Sequence, residues 1–194
     1  SRSLRADGTE NASTQLRTRK VKLKLTSLQK KLLHKWSSHY RYSYNKTMWL
    51  ATETREYNSF YLRNLVVPSE VNQHIPWILE TPKAVRESGC FDALSNLKAC
   101  FTNLANKNIA HFTVPYKRKR NALSSWSFGV PKTAIRIVND RTLSIYPDMT
   151  SSYFRTTESV VEIGHDCKIH YDGLHYYILI PVEKKTCPPV QQQG

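Results

Sequence analysis

The chain has 194 residues, 40% of them hydrophobic, and 29 Lys and Arg against 15 Asp and Glu give a formal net charge of +14. That length suits one domain or two small ones with a genuine core. No apolar run approaches the ~20 residues of a membrane-spanning helix, and no basic flank followed by an apolar stretch marks a signal peptide. The reading is therefore an intracellular chain without membrane contact. The charge is concentrated. Ten Lys and Arg and no acid lie between Asn11 and Thr52, and eight Lys and Arg and no acid lie between Ala93 and Asn139. Outside these windows acids outnumber bases, so the whole positive excess sits in two segments. A single-sign field of this kind attracts a polyanion, nucleic acid first, although a merely basic, well-solvated surface is the plainer alternative.

Residues 1–17 are polar and without periodicity, and are expected to be a disordered tail. Lys20-Val21-Lys22-Leu23-Lys24-Leu25 alternates strictly, which predicts a strand with Val21, Leu23 and Leu25 inward and three lysines outward. Thr26 with Gln29 reads as a capping box opening a helix, and Leu28, Leu32, Trp36 and Tyr40, with Leu33, are expected to form its buried stripe. At Tyr40–Asn45 the chain is expected to turn into a second helical stretch carrying Met48, Trp49 and Leu50. Helical pattern continues through Phe60, Leu62 and Leu65 to Pro68. Thr81-Pro82 predicts a capped helix start, with Val85, Leu94, Leu97, Phe101 and Leu104 on one side as far as about Asn106.

Beyond residue 110 short β-type runs follow: His111–Val114, Ser125–Phe128, Ala134–Val138 and Thr142–Tyr146. Asp172-Gly173 between Lys168–Tyr171 and Leu174–Ile180 predicts a hairpin. The fold class is α+β. A small antiparallel β-barrel, OB-like, is expected to take in the lone first strand, with the helices inserted between that strand and the rest.

The sequence offers nothing for catalysis. There is no G-x-S-x-G element, no H-E-x-x-H, and no glycine-rich phosphate loop; His34 and His39 stand five apart, off the spacing that aligns two imidazoles on a helix face. Cys90, Cys100, Cys167 and Cys187 show no metal spacing and read as ordinary thiols. What recurs is basic residues interleaved with aromatics: Trp36, Tyr40, Arg41, Tyr42 and Tyr44, then Tyr116, the cluster Lys117-Arg118-Lys119-Arg120, Trp126 and Phe128. Cations neutralise phosphates and flat rings stack on exposed bases. Trp36 and Tyr40 are expected in the core all the same. For Lys117 to Arg120 the alternatives are phosphate contact, a solvated loop, or a nuclear-import patch.

The opening strand with Leu25-Thr26-Ser27-Leu28-Gln29, then Tyr40-Arg41-Tyr42-Ser43-Tyr44-Asn45, resembles the N-terminal segment of TnpB-type transposon proteins. Pro76-Trp77-Ile78-Leu79-Glu80-Thr81-Pro82-Lys83-Ala84-Val85-Arg86-Glu87 is similar to the wording of the Fanzor branch. The family's Lys/Arg-rich stretch and Ser-x-Ser-Phe element are matched by Tyr116–Arg120 and Ser125-Trp126-Ser127-Phe128. The resemblance covers about residues 18–185. It implies the guide-RNA- and target-DNA-binding half of an RNA-guided DNA endonuclease: a wedge barrel formed by residues 18–26 and 111–183, a helical recognition lobe at 27–110, and 184–194 as a linker toward a RuvC-like nuclease half. The family's catalytic Asp-x-Gly motif and zinc-binding cysteines have no counterpart here. Catalytic residues, and the Mg2+ they would use, are therefore expected outside these residues, no cofactor is expected in this chain, and Ser1 and Gly194 are expected to bound a piece of something longer. A nuclear location is the corresponding expectation. Lys20, Lys22, Lys24, Lys117, Arg118, Lys119, Arg120 and Trp126 are expected to contact nucleic acid, Arg41 and Asn45 to line its channel, and Lys83, Arg86, Ser127 and Phe128 to read a short motif flanking the target. The alternatives are an autonomous transposon-derived DNA-binding module that needs no RNA, and a protein-interaction fragment whose charge is incidental.

Overall fold

The computed structural model describes residues 15–119 and 124–184. Strand β1 (Leu16–Lys24) is followed by three helices, α1 (Ser27–Thr54), α2 (Ser59–Val66) and α3 (Lys83–Ala105), with 3₁₀ turns at Glu70–Asn72 and Pro76–Glu80. Six strands complete the chain: β2 (Trp126–Val130), β3 (Ile135–Asn139), β4 (Thr142–Ile145), β5 (Phe154–Thr156), β6 (Cys167–Tyr171) and β7 (Tyr176–Glu183). They form one antiparallel sheet in the order β2-β6-β7-β1-β5-β4-β3. β1 is its centre: it pairs with β7 from Leu16 to Lys22 and with β5 at Leu23 and Lys24. The sheet is an open, curled half-barrel with β2 and β3 at its edges, and the helices are inserted between β1 and β2. The predicted α+β class with a helical insertion holds.

The β1 alternation is realised as read, with Val21 and Leu23 buried. The inner sheet face, including Phe128, Ile169, Ile178, Leu143 and Phe154, closes on Leu33, Trp36 and Tyr40 of α1 and Val85 of α3. A second cluster joins the far half of α1 (Tyr44, Met48, Ala51) to Leu62 of α2 and to Ala93 and Leu97 of α3. One helix therefore belongs to both cores.

The capping box at Thr26 forms: Gln29 N–H donates to the Thr26 hydroxyl, and Thr26 N–H donates to Gln29 Oε1. It also fixes the phase of α1. Gln29 turns inward and its amide donates to Tyr153 O (2.8 Å) and Ser152 Oγ (3.1 Å). The buried stripe is consequently Gln29, Leu33, Trp36, Tyr40 and Tyr44, whereas Leu28, expected inside, is 77% exposed. The expected break at Tyr40–Asn45 is absent as well. No Gly or Pro occurs between Ser27 and Thr54, so nothing interrupts the hydrogen-bond ladder, and α1 runs unbroken through both cores.

Two further expectations change, and the hairpin forms as read. Pro82, not Thr81, holds the cap position of α3, because the Thr81 hydroxyl is taken by His39 Nδ1 at 2.5 Å. His111–Val114 forms no strand; Phe112 and Val114 pack instead against the helical core. The hairpin turns around Gly173, whose φ of 101° suits glycine, and Asp172 Oδ1 accepts from the backbone N–H groups of Leu174 and His175, which hold its carboxyl down at about 2.

α3 approaches the backbone of α1 closely at Gly89. A Cβ there would lie 2.6 Å from Tyr40 O and 3.1 Å from Tyr44 N, both backbone atoms that cannot swing away. Gly89→Ala should therefore lower stability by roughly 1–3 kcal/mol through overpacking, despite the gain of about 1 kcal/mol that alanine brings to a helix interior. Gly164→Ala, whose Cβ would meet nothing within 4 Å, serves as the near-neutral control. Denaturant unfolding of the two variants checks this.

Candidate nucleic-acid interface

The face of α1 opposite its buried stripe carries Lys30, His34, Ser38, Arg41, Asn45 and Trp49, three or four residues apart and so on one side of the helix. From Lys30 to Trp49 is roughly 28 Å along the axis. Three hollows follow this line. The first, at the start of α1, is lined by Lys22 and Lys24 of β1, Lys30, Arg155 and Tyr176. The middle cleft, of about 630 Å³, lies between α1 (His34, Ser38, Arg41), the segment Tyr116–Lys119 and Ser125-Trp126-Ser127. The third, of about 680 Å³, shares Ser38, Arg41 and Tyr116 with the middle cleft and adds Tyr42, Asn45, Lys46, Trp49 and Trp77.

Aromatic residues divide the first hollow from the second. Trp126 Nε1–H donates to His34 Nδ1 (3.2 Å), which leaves His34 Nε2 as the protonated nitrogen, donating to Tyr176 Oη (2.7 Å). Trp126 stacks on Phe128 at 5.6 Å, and the His34 ring meets Tyr171 edge-on at 4.9 Å. Partial burial pushes the His34 imidazole below its ordinary value, which favours this neutral tautomer.

The far wall of the middle cleft is an irregular segment, and specific bonds hold it. Asn45 clamps the backbone of Lys117 from both sides: its amide donates to Lys117 O (2.7 Å) and its carbonyl accepts from Lys117 N–H (2.8 Å). Tyr44 Oη donates to Pro115 O (2.9 Å) and accepts from the Asn96 amide (2.9 Å). Tyr40 Oη donates to Asp92 Oδ2 (2.5 Å); burial, then Asp92, pushes its phenol far up, so it stays a neutral donor. Lys117 Nζ lies 4.8 Å from the Tyr44 ring centre. The Lys117–Lys119 cations are thus placed opposite Arg41 by partners on α1 and α3.

The residues singled out from the sequence separate into three groups. Arg41, Lys117, Arg118, Lys119, Trp126 and Ser127 converge on the middle cleft, and Lys22 and Lys24 on the first hollow. Lys20 sits on the outer sheet face with its Nζ 4.1 Å over the Tyr177 ring, and Lys83 stands exposed 3.9 Å from Glu87. Arg86 and Phe128 have internal roles, and Asn45, though it lines the third hollow, is engaged with backbone. Asn45 holds the Lys117 backbone, the buried Arg86 guanidinium donates to Val67 O and Thr81 O, and Phe128 is fully buried in the sheet core. Arg120 lies outside the described residues. Lys30, His34, Lys46, Trp49 and Trp77 join the surface without having been singled out for it; the signal for the first four was helical spacing across Tyr40, which an expected helix break concealed.

Among the described residues no three His, Cys, Asp or Glu side chains gather where a metal ion could sit. No helix among them is long and apolar enough to cross a membrane.

No family model matches the chain. The chain is similar to the "Putative transposase" of Paramecium bursaria Chlorella virus 1, with 33% identity over 201 aligned positions that cover 92% of this chain and 46% of that protein. The chain spans about half the length of this curated relative.

The third hollow has a titratable group beside it. His39 is buried, bonds Thr81, and packs against the Trp77 ring at 4.9 Å. Burial, then Lys35 and Arg86, lowers its imidazole from 6.5 to about 4. The unfolded chain thus binds this proton more readily, and stability falls as the pH drops from 6.5 towards 4. Melting temperatures measured across that window should decline more steeply for the wild type than for His39→Gln.

Proposed function

We propose that this chain is the nucleic-acid-binding half of a transposon-encoded, RNA-guided DNA endonuclease of the TnpB and Fanzor type. It holds guide RNA and target DNA and reads a short motif beside the target, while cutting belongs to a RuvC-like half elsewhere in the full-length protein. The observation that carries this reading is the unbroken line of cations and aromatic rings along α1 and its facing segment, Lys30, Arg41, Lys46 and Lys117–Lys119. The name of the viral relative supports the transposon association, and the ordered motifs from β1 to β2 support the RNA-guided branch.

The chemistry follows from the arrangement. Phosphates lie along the cations, releasing counterions, and the strand is held without regard to its sequence. Sequence is read mainly by base pairing to the guide. Ser127 and Trp126, at the edge strand, and Lys83, at the start of α3, are placed on exposed or half-exposed surface and are the side chains assigned to the flanking motif. Arg86 and Phe128 act behind them by fixing α3 and β2.

Titration of the 194-residue chain with single-stranded RNA at several salt concentrations tests this. Six cations on the track predict a slope of about −4 in log affinity against log salt, taking about 0.7 for each phosphate neutralised on a single strand. A slope near zero would favour a protein-interaction role. Tight, site-selective binding of duplex DNA without any RNA would replace the proposal with an autonomous DNA-binding module.

A further inference from the structure

The third hollow differs in chemistry from the rest of the track. Isolated exposed aromatics are ordinary, but here Trp49 (53% exposed), Trp77 (44%) and Tyr116 (43%) border one cavity. Two cations, Arg41 and Lys46, stand at the same cavity, and none of its lining residues is acidic. Two of the rings are held in place from behind. Trp77 meets Tyr42 edge-on at 5.5 Å and leans on His39 at 4.9 Å, while Asn45 fixes the segment that carries Tyr116. At about 680 Å³ the cavity lies within the range of roughly 300–1,000 Å³ typical of small-ligand sites.

We propose that this hollow captures an unpaired nucleobase of single-stranded RNA, stacked on Trp77 and Trp49, with the adjoining phosphates on Arg41 and Lys46. The proposal rests on the reading that the chain binds RNA, and adds where a base leaves the helical stack. A paired base hides both faces and offers nothing to these rings, whereas single-stranded loops and ends display their bases for stacking on aromatic side chains. RNA that folds on itself carries such bases at rest; duplex DNA does not. The exposed Ser38 hydroxyl, at the junction with the middle cleft, is the group placed to meet a 2′-hydroxyl.

The test uses the full chain and a short single-stranded RNA with 2-aminopurine at its centre, whose fluorescence is quenched when the base stacks. Wild-type protein should quench it. Trp77→Ala and Trp49→Ala should abolish most of the quenching and weaken single-strand affinity by about 5- to 100-fold, and Trp77→Phe should retain much of both. Affinity for a blunt RNA duplex should stay unchanged in all three, and melting temperatures identify any variant that fails to fold. Quenching and affinity at wild-type levels in both alanine variants would overturn the proposal. So would equal losses on single-strand and duplex RNA, or equal quenching by the DNA version of the oligonucleotide. Lys117→Gln with Lys119→Gln, both at the middle cleft and neither at the third hollow, separates RNA binding from base capture: it should weaken single-strand and duplex RNA alike. If it does while the tryptophan variants change nothing, RNA binding stands and the base site falls; if neither set changes anything, both fall.

Discussion

The close packing of α3 on α1 at Gly89 is the contact on which the groove depends. Because residue 89 lacks a side chain, α3 lies against the backbone of α1 between Tyr40 and Tyr44. One turn further along α3, Asp92 receives the Tyr40 hydroxyl; another turn on, Asn96 donates to the Tyr44 hydroxyl. Tyr44 in turn reaches Pro115, and Asn45 beside it reaches Lys117. Segment 115–119 has no regular structure of its own, so its place opposite Arg41 follows from where α3 and α1 set these polar groups. The cleft is built from the helix crossing outward.

α1 divides its surface between two tasks. Its inner stripe joins the sheet core at Trp36 and Tyr40 to the helical core at Met48 and Ala51. Its outer line presents Lys30 and Arg41, with Lys46 beside it at the third hollow, and few counterions come from the protein itself; Lys35, also beside that line, pairs with Glu80. A single-sign field of this kind works against folding and is relieved when a polyanion binds. The rings nearby soften the cost without neutralising the charge: Lys30 lies 5.8 Å from Tyr176, Lys46 5.9 Å from Tyr42, and Lys117 4.8 Å from Tyr44. Rigidity comes from one face of the helix, attraction from the other.

Local signals were legible where one short-range interaction decides the conformation. The Thr26/Gln29 box, the β1 alternation, the Asp172-Gly173 hairpin and the end of α3 near Asn106 all appear close to where the residues indicated. Phase and continuity were less legible. Leu28 looked like the first member of the buried stripe, but the capping glutamine turned inward instead, and the bonds of Gln29 to Ser152 and Tyr153 are tertiary. The aromatic run at Tyr40–Tyr44 suggested a turn, although it contains no residue that breaks a helix. The site was partly legible for the same reason. Charge and ring content marked two windows whose residues line the clefts, yet Arg86 and Phe128 are buried, Asn45 binds backbone, and Trp77 enters from a 3₁₀ turn with no periodicity to expose it. β5, three residues long, carries too little pattern to be read.

The central claim is that the line along α1, rather than net charge, holds nucleic acid. A triple exchange of Lys30, Arg41 and Lys46 to Gln, set against a triple exchange of Lys98, Lys107 and Arg136 to Gln, isolates it, since both remove equal charge and the second set lies in the other acid-free window, away from the clefts. In RNA titrations across salt, the first variant should lose about two from the magnitude of the log–log slope, and the second should match the wild type. Equal losses in both variants would contradict the account and make the binding a property of overall charge.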